Sequence, residues 1–317
     1  MPSRALAPFA ALAVAAALLA ACVTPAAAPP AEAPPVGPLA LRTERVLLGG
    51  FLAPPGPSFG LPARPGTGAF VKLLAPGAVA LRGNDLLIAD AGTGRLWRAD
   101  LALNTLSPIA GAPVAPGVAL AIGPDLSAWV LDGVARQVLR FARDGRLLQT
   151  YRGTHAALST AGMALADAGA TLLVVDDGAR QWLEFRPAGA FATPVALPRE
   201  LRAADGIAVA GDTVFVLDKS RGAVHALRRD GTLLATLGEG ELKQPVAIAA
   251  DRGVRVAVHD AQDRSVKLLE PGRETLVFGA EALRVQQIGG IALDDRVLAV
   301  SDRVAGAVTL HRLEARP

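Results

Sequence analysis

Six times along the chain an apolar run closes on an aspartate: LLIAD at Asp90, AWVLD at Asp132, LLVVD at Asp176, VFVLD at Asp218, VAVHD at Asp260 and LAVSD at Asp302, spaced by 42, 44, 42, 42 and 42 residues. The same pattern surrounds each run. A segment of small and apolar residues precedes it (77–81, 117–122, 162–167, 206–211, 246–251 and 290–295), and a polar turn of three to five residues follows. After the turn comes a third apolar segment: RLWRA, QVLRF, QWLEF, AVHAL, SVKLL or AVTLH. A second turn, such as Arg143-Asp144-Gly145 or Arg229-Asp230-Gly231, carries hairpin chemistry and leads to a fourth segment. Helical periodicity is absent throughout. Four short antiparallel strands in each 40–45 residues, repeated in tandem, predict an all-β fold of six β-propeller blades.

A ring of blades has to close. The sixth unit breaks off soon after its third strand, around His311, while residues 43–49 (TERVLLG) resemble the fourth strands LLQTYRG, LLATLGEG and ETLVFG. The N-terminal segment is therefore expected to supply the missing outer strand, which pairs the chain's two ends and covers two sheet edges that otherwise invite aggregation. The propeller is assigned to residues 41–317. Residues 50–70 form one long Pro/Gly-rich loop within it, either a lid over the central funnel anchored by Phe51, Phe59 and Leu61 or a disordered connection.

The first 40 residues follow a different pattern. Arg4 is a short positive start, the apolar stretch from Ala5 to Leu19 is interrupted only by Pro8, and Leu19-Ala20-Ala21-Cys22 ends it with the single cysteine of the chain. That stretch is too short to span a bilayer, and small residues at 20 and 21 suit a peptidase cleft. Residues 1–21 read as a removable signal. The motif resembles the lipobox of bacterial lipoproteins, which implies cleavage before Cys22, acylation of its sulfur and a lipid anchor. The other reading is an ordinary secretory peptide with a stray cysteine. Acylation with two or more chains anchors stably, and Val23, where the family's inner-membrane retention signal would carry aspartate, implies outer-membrane sorting with the protein facing the periplasm. Residues 22–40, rich in Pro and Ala, form a semi-rigid tether at ~3 Å per residue.

Composition narrows the function classes. The formal net charge is +3, and loss of Arg4 with the signal leaves 31 basic against 29 acidic residues. No clustered basic excess of the kind nucleic acid requires is present. With the lone cysteine given to lipid, no disulfide is available. The fold must be held by packing, which a content of 51% hydrophobic residues with only 4% aromatic supports through Ala, Val and Leu.

Gln244-Pro245-Val246-Ala247-Ile248-Ala249 and Asp90-Ala91-Gly92-Thr93-Gly94-Arg95-Leu96-Trp97 make the repeat, over residues 43–313, similar to the NHL family. The resemblance implies a six-bladed propeller and leaves the activity open, since propellers host binding modules and enzymes alike. The six aspartates are expected to accept amide hydrogen bonds within their own turns rather than form a metal ring. The turns also carry Arg95, Arg136, Arg180, Arg221, Arg264 and Arg303, all expected on one face of the disc. They form either a basic crown for an anionic partner or partners of the aspartates in their own or the next blade.

The four histidines, His155, His225, His259 and His311, fall at different radii and predict no zinc site. Asp167, Asp251, Asp294 and Asp295 lie at or beyond the inner strands' ends. No paired nucleophile and base is recognisable, so no catalytic residue, metal or cofactor is assigned. The reading is a lipid-anchored envelope protein whose propeller is a non-catalytic module for a protein or envelope polymer. The alternative is a metal-dependent hydrolase resembling the gluconolactonases.

Overall fold

A computed structural model describes residues 39–53, 68–152, 163–165, 171–185, 194–253 and 255–315. Five of the six blades are four-stranded antiparallel sheets, and the first has six strands. The inner strands are Pro76–Arg82, Ala119–Ile122, Met163–Leu165, Gly206–Ala210, Pro245–Ala250 and Ile288–Asp294. The second strands end on the six repeating aspartates, and in all six sheets that Asp pairs with the residue five positions later. The turn between second and third strand thus has four residues each time, one register used six times.

The second strands read as continuous apolar runs because both of their faces are covered. Asp85–Asp90, Leu172–Asp176 and Val256–Asp260 are buried from end to end. Side chains alternate between the faces of a strand, and here each face meets a different blade. Leu86 and Ile88 pack toward the sixth blade with Val308 and Leu310, whereas Leu87 and Ala89 pack toward the second with Leu120 and Val130. The buried hydrophobic residues divide into six clusters, and each joins two neighbouring blades. The core is a ring of six interfaces around a central channel.

The N-terminal strand closes this ring. Leu39–Leu47 pairs antiparallel with Ala307–Ala315 and completes the sixth blade. It is longer than residues 43–49 and starts inside the stretch assigned to the tether. The sixth blade's third strand likewise runs past His311 to Ala315. Packing explains the difference, because Leu39 and Leu313 are both buried in the interface between the fifth and sixth blades. Charges cross-link the outer side, with Arg42 Nε 2.7 Å from Glu314 and Arg312 Nε 2.5 Å from Glu44.

The expected single loop over 50–70 is also corrected at both ends. Gly49–Leu52 runs parallel to the first blade's outer strand, Thr105–Ile109, and Phe70–Lys72 pairs antiparallel with it to make a six-stranded sheet. Glycine permits the approach, since a Cβ on Gly49 would lie 2.0 Å from the carbonyl oxygen of Val71. Phe51 meets Phe70 edge-on at 5.4 Å, on the outside of the blade rather than at the funnel. Cys22, Phe59, Leu61, His155 and Asp167 lie outside the described residues.

Candidate functional site

The four-residue turns and the connections between blades share one face of the disc, because strand direction reverses three times within each blade. The six aspartates hold that face together. Asp90 Oδ1 accepts hydrogen bonds from Gly92 N at 3.0 Å and, more distantly, Thr93 N within its own turn, while Ala75 N at 2.8 Å and Leu74 N at 3.0 Å donate from the incoming connection. Asp302 repeats the scheme with Val304 and Ala305 on one side and Gln286 and Gln287 on the other. Asp218 takes the amides of Arg202, Ala203 and Arg221, and Asp260 those of Lys243, Gln244 and Gln262. Asp176 accepts from Ala179 N. Asp132, half-buried, binds the Val134 and Ala135 amides of its own turn. Burial pushes the Asp218 and Asp260 carboxyls up, yet the converging donors outweigh it and hold both below the ordinary aspartate value.

The residue seven positions after the aspartate, on the third strand, faces it. Lys267 Nζ sits 2.7 Å from Asp260 and 2.7 Å from Asp263, and His225 Nε2 lies 3.6 Å from Asp218.

The six arginines are not equivalent. The last position of the turn has a left-handed backbone, and it is Gly94, Gly222 and Gly306 in three blades (φ 65°, 62° and 63°) but Arg136, Arg180 and Arg264 in the others (φ 53°, 55° and 51°). A non-glycine residue pays a steric cost there. Arg180 is committed to the carbonyls of Pro198, Leu201 and Arg202. Arg221 pairs with Glu239 at 2.9 Å, and Arg95 lies over the Trp97 ring, 5.6 Å from its centroid. None of these three pairs with a turn aspartate. The guanidinium groups of Arg136, Arg264 and Arg303 have no hydrogen-bond or ion-pair partner among the described residues, so the crown is reduced to these three, with Arg303 at the channel mouth.

The channel holds a cavity of about 520 Å³ walled by Ala, Val, Ile, Leu and Gly of the inner strands. At the turn-bearing mouth stand Arg303 and Asp205, whose carboxyl burial pushes above the ordinary value against the pull of Lys219. At the other mouth are Arg82, Asp294 and Asp251. Asp294 accepts Gly83 N of the neighbouring first blade. Asp251 is pushed up by burial, with Arg255 Nε at 2.8 Å pulling the other way. That contact is ionic rather than well directed, since Asp251 Oδ2 accepts no hydrogen bond among the described residues. Asp295 occupies the left-handed turn beyond the sixth inner strand. His225, His259 and His311 are buried within blades, and among the described residues no three His, Cys, Asp or Glu are grouped to hold a metal ion.

Two features of this face escaped the sequence reading. The left-handed turn position is a backbone property, invisible in residue types until Gly and Arg are found to share it. Arg284, also left-handed (φ 52°), lies in a connection between blades, whose length differs from one repeat to the next.

The architecture defines a six-bladed β-propeller protein. Solved structures agree. Virginiamycin B lyase from Staphylococcus aureus superposes with a TM-score of 0.58 at 12% identity, covering 76% of this chain and 95% of its own. The PQQ-bound aldose sugar dehydrogenase of Streptomyces coelicolor gives 0.58 at 14% identity, covering 89% and 100%. The WD40 repeats of RRP9 give 0.54 at 14%, covering 76% and 95%. At such identities the likeness concerns the fold alone, and these neighbours include enzymes and a WD40 repeat protein. No family model matches the chain, and no curated protein matches it in sequence.

Proposed function

We propose that this protein is an NHL-type propeller lipoprotein, anchored through an acylated Cys22 in the outer membrane and facing the periplasm, whose turn-bearing face captures a protein or an envelope polymer. The observation that carries the binding reading is the contrast between the channel and that face. The channel wall is apolar, while the guanidinium groups of three arginines on the face stand without partners among the described residues. Free guanidinium groups on a rigid scaffold suit recognition of anionic groups.

Two experiments test the two halves. Cys22→Ser should abolish palmitate labelling and move the protein from the membrane to the soluble fraction; unchanged labelling and fractionation would remove the anchor. Full-length protein used as bait in envelope extract should retain a partner that Arg136→Glu with Arg303→Glu releases, while melting stays unchanged. Retention unaffected by that charge reversal would overturn the binding face. A second reading, metal-dependent hydrolysis of the gluconolactonase type, would draw on Asp205, which stands at the channel mouth. Divalent-cation binding lost in Asp205→Asn would support it over the first.

A further inference from the structure

Two successive junctions between blades are built alike, and they differ in charge. Between the fourth and fifth blades the connection makes a tight turn in which Leu242 N donates to Gly238 O; between the fifth and sixth, Leu283 N donates to Gly279 O at the same 3.0 Å. Both leucines are buried. Both connections then pass their amides to the next blade's aspartate, Lys243 and Gln244 to Asp260, Gln286 and Gln287 to Asp302.

The first junction neutralises itself. Arg221 pairs with Glu239, and Asp263, three positions after Asp260, takes Lys243 at 3.3 Å and Lys267 at 2.7 Å. In the second junction the position three after Asp302 is Ala305, and the one facing the aspartate is Thr309 instead of Lys267. Arg264 and Arg284 line the resulting cleft, both exposed, and the guanidinium group of each is without an ion-pair or hydrogen-bond partner among the described residues. Of the two carboxylates that line the cleft among the described residues, Asp302 is turned to four backbone amides, and Glu281 makes no ion pair with either guanidinium group. Both arginines also hold left-handed backbone conformations (φ 51° and 52°).

We infer that the cleft between the fifth and sixth blades is a binding site for a carboxylate-bearing ligand, which pairs with two guanidinium groups that no side chain of this junction engages among the described residues. The guanidinium groups of Arg264 and Arg284 are its anchors, and their fork geometry matches a carboxylate. Val304 and Ala305 give the ligand's carbon body an apolar floor. The inference rests on the turn-bearing face being the binding face and is independent of the lipid anchor.

The test is equilibrium dialysis of purified protein against radiolabelled succinate, with ionic strength held constant by sodium chloride. Wild type should bind saturably. The Arg264→Gly, Arg284→Gly double variant, in which glycine accepts the left-handed backbone without strain, should bind at least tenfold more weakly, and Arg146→Gln, at an exposed arginine in the second blade's outer turn, should bind as wild type. Ala305→Asp keeps both arginines and provides the missing internal carboxylate, so it should abolish succinate binding by filling the site from within. Absence of saturable binding, a double variant equal to wild type, or inorganic phosphate displacing succinate tenfold better than succinate displaces itself would each overturn the assignment. No envelope component enters this experiment, so its failure is separate from failure of partner capture.

Discussion

At the scale of single residues, the turn aspartates and turn arginines have different costs. Asp302 satisfies four amides from two segments and is almost fully buried, whereas Asp132 satisfies two in one exposed turn. Leaving buried donors unpaired is expensive, so Asp302→Ala should destabilise by about 3 kcal/mol or more and Asp132→Ala by about 1 kcal/mol. Equal losses in chemical denaturation would show that the clasp to the incoming connection contributes nothing. The arginines separate in the same way. Arg136→Gly exchanges a left-handed strain of about 1 kcal/mol for the comparable chain entropy of glycine and should leave stability within about 0.5 kcal/mol. Arg180→Gly also abandons three carbonyl acceptors and should cost about 1–2 kcal/mol more.

At the scale of elements, the closing strand carries the most consequence for its length. Leu39–Leu47 covers the outer edge of the sixth blade, and its ends fill two different interfaces, Leu39 at the junction of fifth and sixth blades and Leu47 at that of sixth and first. Its exposed ion pairs with Arg312 and Glu314 contribute less than about 1 kcal/mol each, so the apolar ends decide. Leu47→Ala should cost about 2–5 kcal/mol, and deletion of residues 39–47 should abolish the cooperative melting transition. A deletion variant melting at the wild-type temperature would contradict closure by this strand.

At the scale of the whole molecule, three histidines sit neutral inside the blades, and burial lowers the pKa of each; that of His259 falls to about 4, despite the opposing charge of neighbouring Asp260 and with the help of Arg303. Below pH 6.5 the unfolded chain binds protons at these sites that the folded chain refuses. Stability is therefore full above that value and is lost as pH falls toward about 4, by about 3 kcal/mol for His259 alone. Asp218 and Asp260, with depressed values, lose their contribution only at lower pH still. Melting temperature measured across this range should fall, and His259→Gln should flatten the slope; a wild-type profile without slope would refute the neutral buried state.

The apolar runs, their spacing and the aspartates that end them were sufficient to determine an all-β propeller of six blades, because a strand covered on both faces demands an unbroken hydrophobic stretch and each repeat states that demand again. The exchange of Asp263 for Ala305 was legible too, once the repeats are aligned on their aspartates. The tertiary structure alone decided where the closing strand begins, since Leu39 resembles tether until it pairs with Ala315 and shares a buried interface with Leu313. It alone separated Arg180, committed to carbonyls, from Arg136 and Arg264. That distinction depends on which loop of the neighbouring blade comes within reach, and such distances are set by the closed ring rather than by residue order.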